Sequence, residues 1–452
     1  MRSSRASVTK MSSFNSTIRS AAILLIVLSI IHPVPEAQAQ SDSSSELSYE
    51  TLDTRVFQQE ACECVSRHET LTGKWWDKRD SLEERGIEFE AAVTQFYQGT
   101  ASGGLRQKFF YSGHGDYELG LDLEKLLGID GLKLDLGVEH RFGQTVNGFT
   151  GTGSSIPVAI LPNLPEPDNK HLALTRVTFK QELSEQYEVF FGKLDTLEFD
   201  TNAFADGKGR DRFFSTAFNY NPIATRTVPF STLGVGFSVM NEGERFLTLA
   251  VLDTEDTATT IGIDELFAEG AVILAEISIP TYFFGRRGNQ RFAGTWSIAV
   301  YDTLSQEGRV EFPKIGIEPK KGSWSLLWNF DQLLWSDPCD CERGWGLFGR
   351  GGISDGNPNP IEWFLSLGIG GDSFLPGRDE DSFGIGWYYV GMSNKFDPVV
   401  SSFFANGQGV EIYYRVTVTE HFHISPDLQI VKPNTAGIDT SIIPGLRAQI
   451  DF

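Results

Sequence analysis

Residues 132–141, LKLDLGVEHR, alternate without a break: Leu132, Leu134, Leu136 and Val138 are apolar, and Lys133, Asp135, Gly137, Glu139 and Arg141 stand between them. A period of two describes a strand whose successive side chains point to opposite faces, here one apolar and one charged. The pattern recurs in both directions along the chain. Tyr117, Leu119, Leu121 and Leu123 alternate with Glu118, Gly120, Asp122 and Glu124, and Leu233, Val235, Phe237 and Val239 run up to a turn at Asn241-Glu242-Gly243. Trp324, Leu326, Trp328 and Phe330 form another face, as do Val410, Ile412, Tyr414, Val416 and Val418. The last is Leu446, Ala448, Ile450 and Phe452, set against Arg447, Gln449 and Asp451. A soluble sandwich alternates too. Aromatic residues near the ends of the apolar faces, charge on the polar faces and a terminal aromatic within a strand together favour an all-β, outer-membrane transmembrane β-barrel.

Size sets the scale of that barrel. Residues 87–452 number 366, and at roughly 40–50 residues per hairpin they supply about 14–18 strands. A barrel of this size encloses water rather than filling with side chains. Three connections are long: 142–170, rich in Gly, Thr, Asn and Pro; 200–229, rich in Phe, Asn and charge; and 253–269, which is acidic. Nothing in the sequence says which of them enters the channel.

The chain of 452 residues carries 38 Lys+Arg against 60 Asp+Glu, a formal charge of −22. This balance argues against a nucleic-acid partner, because phosphate contacts need basic surfaces. Arg2, Arg5, Lys10 and Arg19 precede an apolar run from Ala21 to Ile31, and Ala37-Gln38-Ala39 is a small-x-small cleavage site. Residues 1–39 therefore read as an export signal peptide. Cleavage would remove those four positive charges and one negative charge, Glu36, and leave the mature chain at −25. Residues 40–86 read as a periplasmic lead-in that ends in a short helix within LTGKWWDKRDSLEERG (71–86), stopped at Gly86. The acidic excess is expected in the lumen and loops, and the 55 aromatic residues on the lipid face and its girdles.

Five stretches carry a family resemblance: LTGKWWDKRDSLEERGI (71–87), TASGGL (100–105), LGLDLEKLLG (119–128), FGKLDTLEFDTNAFA (191–205) and GWGLFGRGGISDGNPNP (344–360). With GVEIYYRVTVTEHFHISPDLQIVKPN (409–434), they resemble the OprB-type carbohydrate-selective porins in the family's own order. The resemblance implies a barrel of 16 antiparallel strands with a short N-terminal helical segment at its periplasmic mouth. It also implies passive diffusion of small carbohydrates through a constricted channel in outer-membrane lipid, without enzymatic chemistry or cofactor. It places a constriction cation at Arg141, on the polar face that also holds Glu139, Asp135 and Lys133; an ion pair between Arg141 and Glu139 is the plainer alternative. Arg350 is inward if Leu347 faces lipid, where it would line the pathway or tie down a loop. Trp75 and Trp76 would anchor the helix to the inner wall or offer a sugar a stacking surface. Asn357 to Pro360 would shape a rigid loop. A general or cation-favouring porin is the alternative function, and monomer and homotrimer remain equally open.

Cys62-Glu63-Cys64 and Cys339-Asp340-Cys341 are matched pairs. In an exported chain two disulfides are expected. The second pair falls in a short connection of the kind barrels keep on the periplasmic side, the same side as the lead-in. Disulfides between the pairs, strained disulfides within each pair, and a four-thiolate metal site are the three arrangements considered. His421 and His423 lie close together but read as a solvated pair, so no resident metal is expected. Non-reducing peptide mapping should yield a disulfide-linked peptide joining the region of residue 62 to that of residue 340; its absence rules out the cross-linked arrangement.

Overall fold

The computed structural model describes residues 73, 78–153, 156–165, 172–241, 243–305, 319–337 and 343–452. Residues 1–39, read above as a signal peptide, most of the expected lead-in, Trp75, Trp76 and all four cysteines lie outside the described residues. Helix α1 (Lys78–Glu84) precedes the first strand, and Gly86 stops it with a φ of +86°.

Sixteen strands follow. They are β1 (Ile87–Gly99), β2 (Phe109–Asp122), β3 (Leu132–Gly143), β4 (Ala173–Ser184), β5 (Tyr187–Asp195), β6 (Ser231–Asn241), β7 (Glu244–Asp253) and β8 (Ala271–Phe283). The second half comprises β9 (Arg286–Asp302), β10 (Pro319–Ser336), β11 (Gly344–Ser354), β12 (Ile361–Asp372), β13 (Ser382–Met392), β14 (Gly407–Thr419), β15 (Phe422–Lys432) and β16 (Ser441–Asp451). Each pairs antiparallel with its chain neighbours, and β16 closes on β1 with Phe96 opposite Arg447. Closure leaves no strand edge unpaired, which a spanning sheet requires because lipid cannot hydrogen-bond a bare backbone. Connections at the end where β1 starts are short, and those at the other end are long, the asymmetry of periplasmic turns and extracellular loops. Leu123 does not continue its strand. The Asp122 side chain accepts from the Glu124 and Lys125 amides at 3.0 and 3.1 Å, capping helix α2 (Leu123–Leu127), and Gly128 ends it at φ +70°.

The alternation resolves into two faces. Leu249, Ile273, Leu326, Ile385, Ile412 and Leu428 stand on the exposed outer surface. Aromatic pairs flank them, with Tyr97–Phe109 and Trp363–Tyr389 near the long loops and Tyr187–Phe237 and Phe374–Phe383 near the short turns. These are the girdles expected from the sequence. The placement of the remaining aromatics is a correction. Phe190, Phe204, Phe213, Phe214, Phe218, Phe348 and Phe364 are buried inside, where they pack loops against the inner wall.

The lumenal half of the fold explains this. The β5–β6 loop (196–230) turns inward and carries helix α3 (Thr216–Asn219). Phe213 packs on Phe218, Phe348 and Tyr413 with ring centroids 4.6, 5.1 and 4.8 Å apart, and Phe218 meets Tyr388 edge-on. The inward positions of β13 facing these rings are Gly384 and Gly386, where a Cβ would lie 2.6 Å from Phe213 and 2.4 Å from Phe218. The wall is notched to take the loop. Because Ile412 lies mid-strand on the lipid face, Ile412→Arg is expected to destabilise the folded barrel by ~2–4 kcal/mol, measurable by reversible unfolding in lipid vesicles.

Candidate functional site

The inward loop is held at its neck by one carboxylate. Asp200 accepts from Arg350 Nε at 3.0 Å, from the Asn221 amide at 2.9 Å and from Asn329 Nδ2. The two limbs of the loop, twenty-one residues apart in sequence, therefore meet at a single side chain. Arg350 also donates to the carbonyls of Phe218 at 2.7 Å and Asn219 at 3.2 Å. It is fully buried, so of its two readings the structure shows a tie for a loop rather than a residue lining water. A planar guanidinium suits this task because its fixed fork reaches several acceptors at once.

Two further strand residues, three and five strands along the wall from β11, also grip the loop. Glu411 on β14 accepts from the amides of Phe214 and Ser215. Arg447 on β16 donates to the carbonyls of Gly209 and Arg212 at 2.8 and 2.7 Å and lies 4.4 Å from the Phe214 ring centre. The β3–β4 loop joins the same plug. Ile160 donates its amide to the Phe214 carbonyl and Thr216 donates to that of Pro157, while Gln429 Nε2 reaches the Val158 carbonyl at 2.8 Å. From the β11–β12 connection, Asn359 Nδ2 donates to the Ile223 carbonyl at 2.9 Å, and Asn357 accepts from the Leu304 amide at 3.0 Å. The Asp-Gly-Asn-Pro-Asn-Pro stretch thus braces the plug from the loop end.

Beside the filled part of the lumen, three cavities adjoin one another. The outer one, about 460 Å³, lies between the two inward loops and is lined by Leu164, Leu197, Tyr220, Arg226, Phe230 and Asp256 among others. The middle one, about 300 Å³, lies between β2 and the loop tip and is lined by six carboxylates (Asp116, Glu118, Glu198, Asp200, Asp206, Asp211) and two cations (Lys208, Arg210). The inner one, about 500 Å³, includes Asp211, Arg212, Asp331, Asp372 and Arg415. Leu197 borders the first two, and Asp211 the last two.

The tip of the loop, DGKGRDR (206–212), supplies much of the charge around the middle cavity. Lys208 pairs with Asp195 and, at 3.1 Å, with Glu139. Burial alone would lower its pKa, but the carboxylates of Asp195, Glu139 and Glu198 outweigh that and hold it well above the ordinary lysine value. Burial likewise pushes Asp211 up, and the guanidinium groups of Arg212, Arg210 and Arg415 more than reverse it, leaving the carboxyl below its usual range. Both groups stay charged through neutral pH.

The residues expected from the sequence are thus dispersed. All four of the β3 group face inward, but Lys133 pairs with Glu182 and Asp135 with Lys180, both at 2.6 Å, on the wall towards the short turns. Glu139 is buried beneath Lys208 rather than paired with Arg141. Arg141, half-buried, donates to the Asn163 carbonyl at 2.7 Å and so holds the β3–β4 loop. His423 lies 3.5 Å from Asp451. Asp200, Glu411, Arg447, Lys208 and Arg210 were not singled out. The one available signal was a charged run flanked by Phe213, Phe214 and Phe218, since a loop so rich in Phe must bury it somewhere.

A model of the family described as carbohydrate-selective porin, OprB family, matches residues 106–452. The high-pH structure of Pseudomonas putida OprB superposes with a TM-score of 0.74 at 19% identity, covering 86% of this chain and 99% of that one. The low-pH structure of the same protein gives 0.53 at 18% identity, covering 86% and 100%. No curated protein matches the sequence.

Arg350→Gln leaves Asp200 and two carbonyls without their buried cation, a loss of about 3–5 kcal/mol. It should free the loop, so that single-channel current becomes larger and noisier and proteolysis within 203–220 is enhanced. Unchanged current and unchanged cleavage would separate the clamp from the channel's width.

Proposed function

We propose, because this chain belongs to the OprB family of carbohydrate-selective porins, a route and a set of residues by which an outer-membrane carbohydrate porin of this sequence passes its sugars. Sugars enter the outer cavity between the inward loops, pass the middle cavity at the tip of the β5–β6 loop, and leave through the inner cavity to the periplasmic side. The observation that carries this reading is that the three cavities adjoin, the outer and middle ones sharing Leu197 as a lining residue and the middle and inner ones sharing Asp211. The middle cavity holds about ten waters' worth of volume, the room of a single small solute and not of a polymer.

A neutral sugar has no charge to steer it, so the constriction must recognise hydroxyls and ring faces. Lys208 tied to Asp195, and Arg212 tied to Asp206, present fixed donors and acceptors whose long-range fields partly cancel. Leu161 and Leu197 give the same passage an apolar side. Among these lining residues carboxylates outnumber cations, so the ions that share the route should be cations. Arg141 supports the path indirectly by fixing Asn163 at the edge of the outer cavity. Trp75 and Trp76 are proposed to anchor the N-terminal helix or, alternatively, to offer the sugar a stacking surface, after export directed by residues 1–39.

In planar bilayers the purified protein should give stepwise, cation-favouring conductance that a neutral monosaccharide blocks saturably. Lys208→Met should raise the half-blocking sugar concentration several-fold, roughly 1 kcal/mol of lost hydrogen bonding. Conductance indifferent to every sugar tried would favour the general cation-favouring porin instead.

A further inference from the structure

Beside the middle cavity three potential ligand side chains converge. His114 and Asp116 are two apart on β2, so both point inward, and Asp116 stands opposite Glu139 of β3. One donor atom from each lies within 4.8 Å of the other two, and all three residues are buried. His114 Nε2 is 3.0 Å from Asp116 Oδ1 and 3.9 Å from Glu139 Oε2. Tetrahedral coordination at ordinary Zn–N and Zn–O lengths sets ligand atoms about 3.4 Å apart, between these two separations.

Two further observations point to a ligand. Glu139 is nine-tenths buried and its Oε2 accepts no hydrogen bond, although it is aimed at the cluster. The other imidazole nitrogen, Nδ1, sits 3.0 Å from the Leu164 carbonyl. A carbonyl can only accept, so the proton belongs on Nδ1 and Nε2 is turned to the two carboxylates, the arrangement that metal-binding histidines use to fix tautomer and ring angle.

We propose that His114, Asp116 and Glu139 form a binding site for a divalent transition metal of the Zn²⁺ class, opening through Asp116 onto the middle cavity. The ligand set, one imidazole and two carboxylates, matches the charge of a divalent ion and leaves at least one position for water. Lys208 does not compete for the same atom. It approaches Glu139 at Oε1, 3.1 Å away, and its charge is met by Asp195. There it acts as an outer hydrogen-bond donor to a ligating carboxylate. Any proton that bridges Nε2 and Asp116 in the metal-free site is released to solvent as the ion takes the imidazole lone pair. The site links β2 and β3 to both inward loops, so its occupancy should register in the current.

The test uses the full chain, with free cysteines alkylated, and Zn²⁺ as the only added metal. Wild-type protein should bind Zn²⁺ saturably in titration calorimetry, with a matching change in single-channel current that EDTA reverses. His114→Asn and Glu139→Gln should each weaken the strongest site about tenfold or more. Independently of the variants' folding, wild-type crystals soaked in Zn²⁺ should show an anomalous peak bonded to His114 Nε2. Equal Zn²⁺ affinity in wild type and both variants, or anomalous peaks only elsewhere, would overturn the proposal.

Discussion

The Asp200 carboxylate and the Arg350 guanidinium hold the channel in its shape. Their contact closes the neck of a loop that, left in solvent, would expose Phe204, Phe213, Phe214 and Phe218. Drawn inward, Phe204, Phe213 and Phe218 bury themselves against the wall from β11 to β14, and Phe214 against Phe96 of β1 and Arg447 of β16, while the charged tip between them lines the middle cavity. Hydrophobic burial fixes where the loop lies. The buried guanidinium helps to fix its register, because in this placement Arg350, Asp200, Asn221 and Asn329 satisfy one another. Glu411 and Arg447 repeat the same logic from β14 and β16.

A filled half-lumen has a functional consequence. Sixteen strands enclose far more space than a small sugar requires, and a uniform water-filled pore of that width would select little. By packing one side with an apolar plug, the fold narrows the path to a file of cavities while keeping its walls polar. On the proposed route, selectivity would rest on a few charged residues held by neighbours of opposite sign. The strands supply closure and insertion, and the loops together with inward strand side chains line the cavities.

The barrel was legible because a spanning strand obeys a local rule. In LKLDLGVEHR each residue's face follows from its parity, and the family resemblance fixed the strand count within the range that chain length allowed. The site was less legible because it depends on contacts across the lumen, between residues as far apart as Asp200 and Arg350, for which no local period exists. Arg141 illustrates the difference. Its inward direction followed from alternation, yet its partner, the Asn163 carbonyl, belongs to a loop whose path the sequence left open. The expectation that aromatics decorate the outside held for the girdles but not for the loop phenylalanines, since a Phe in a loop carries no mark of which side of the wall it will pack on. His114, Asp116 and Glu139 were hidden by being split between two strands, and only the register of β2 on β3 brings them together.

The central claim is that the β5–β6 loop, and not the barrel wall, sets the width of the channel. Because Asn221 donates to Asp200, the loop can be excised between Asn202 and Tyr220 and its ends rejoined by a short Gly/Ser segment without spanning a gap. Single-channel conductance of that variant measures the claim most directly. A several-fold rise in conductance, with saturable sugar block abolished, is the predicted result; a conductance equal to that of the intact chain would contradict it.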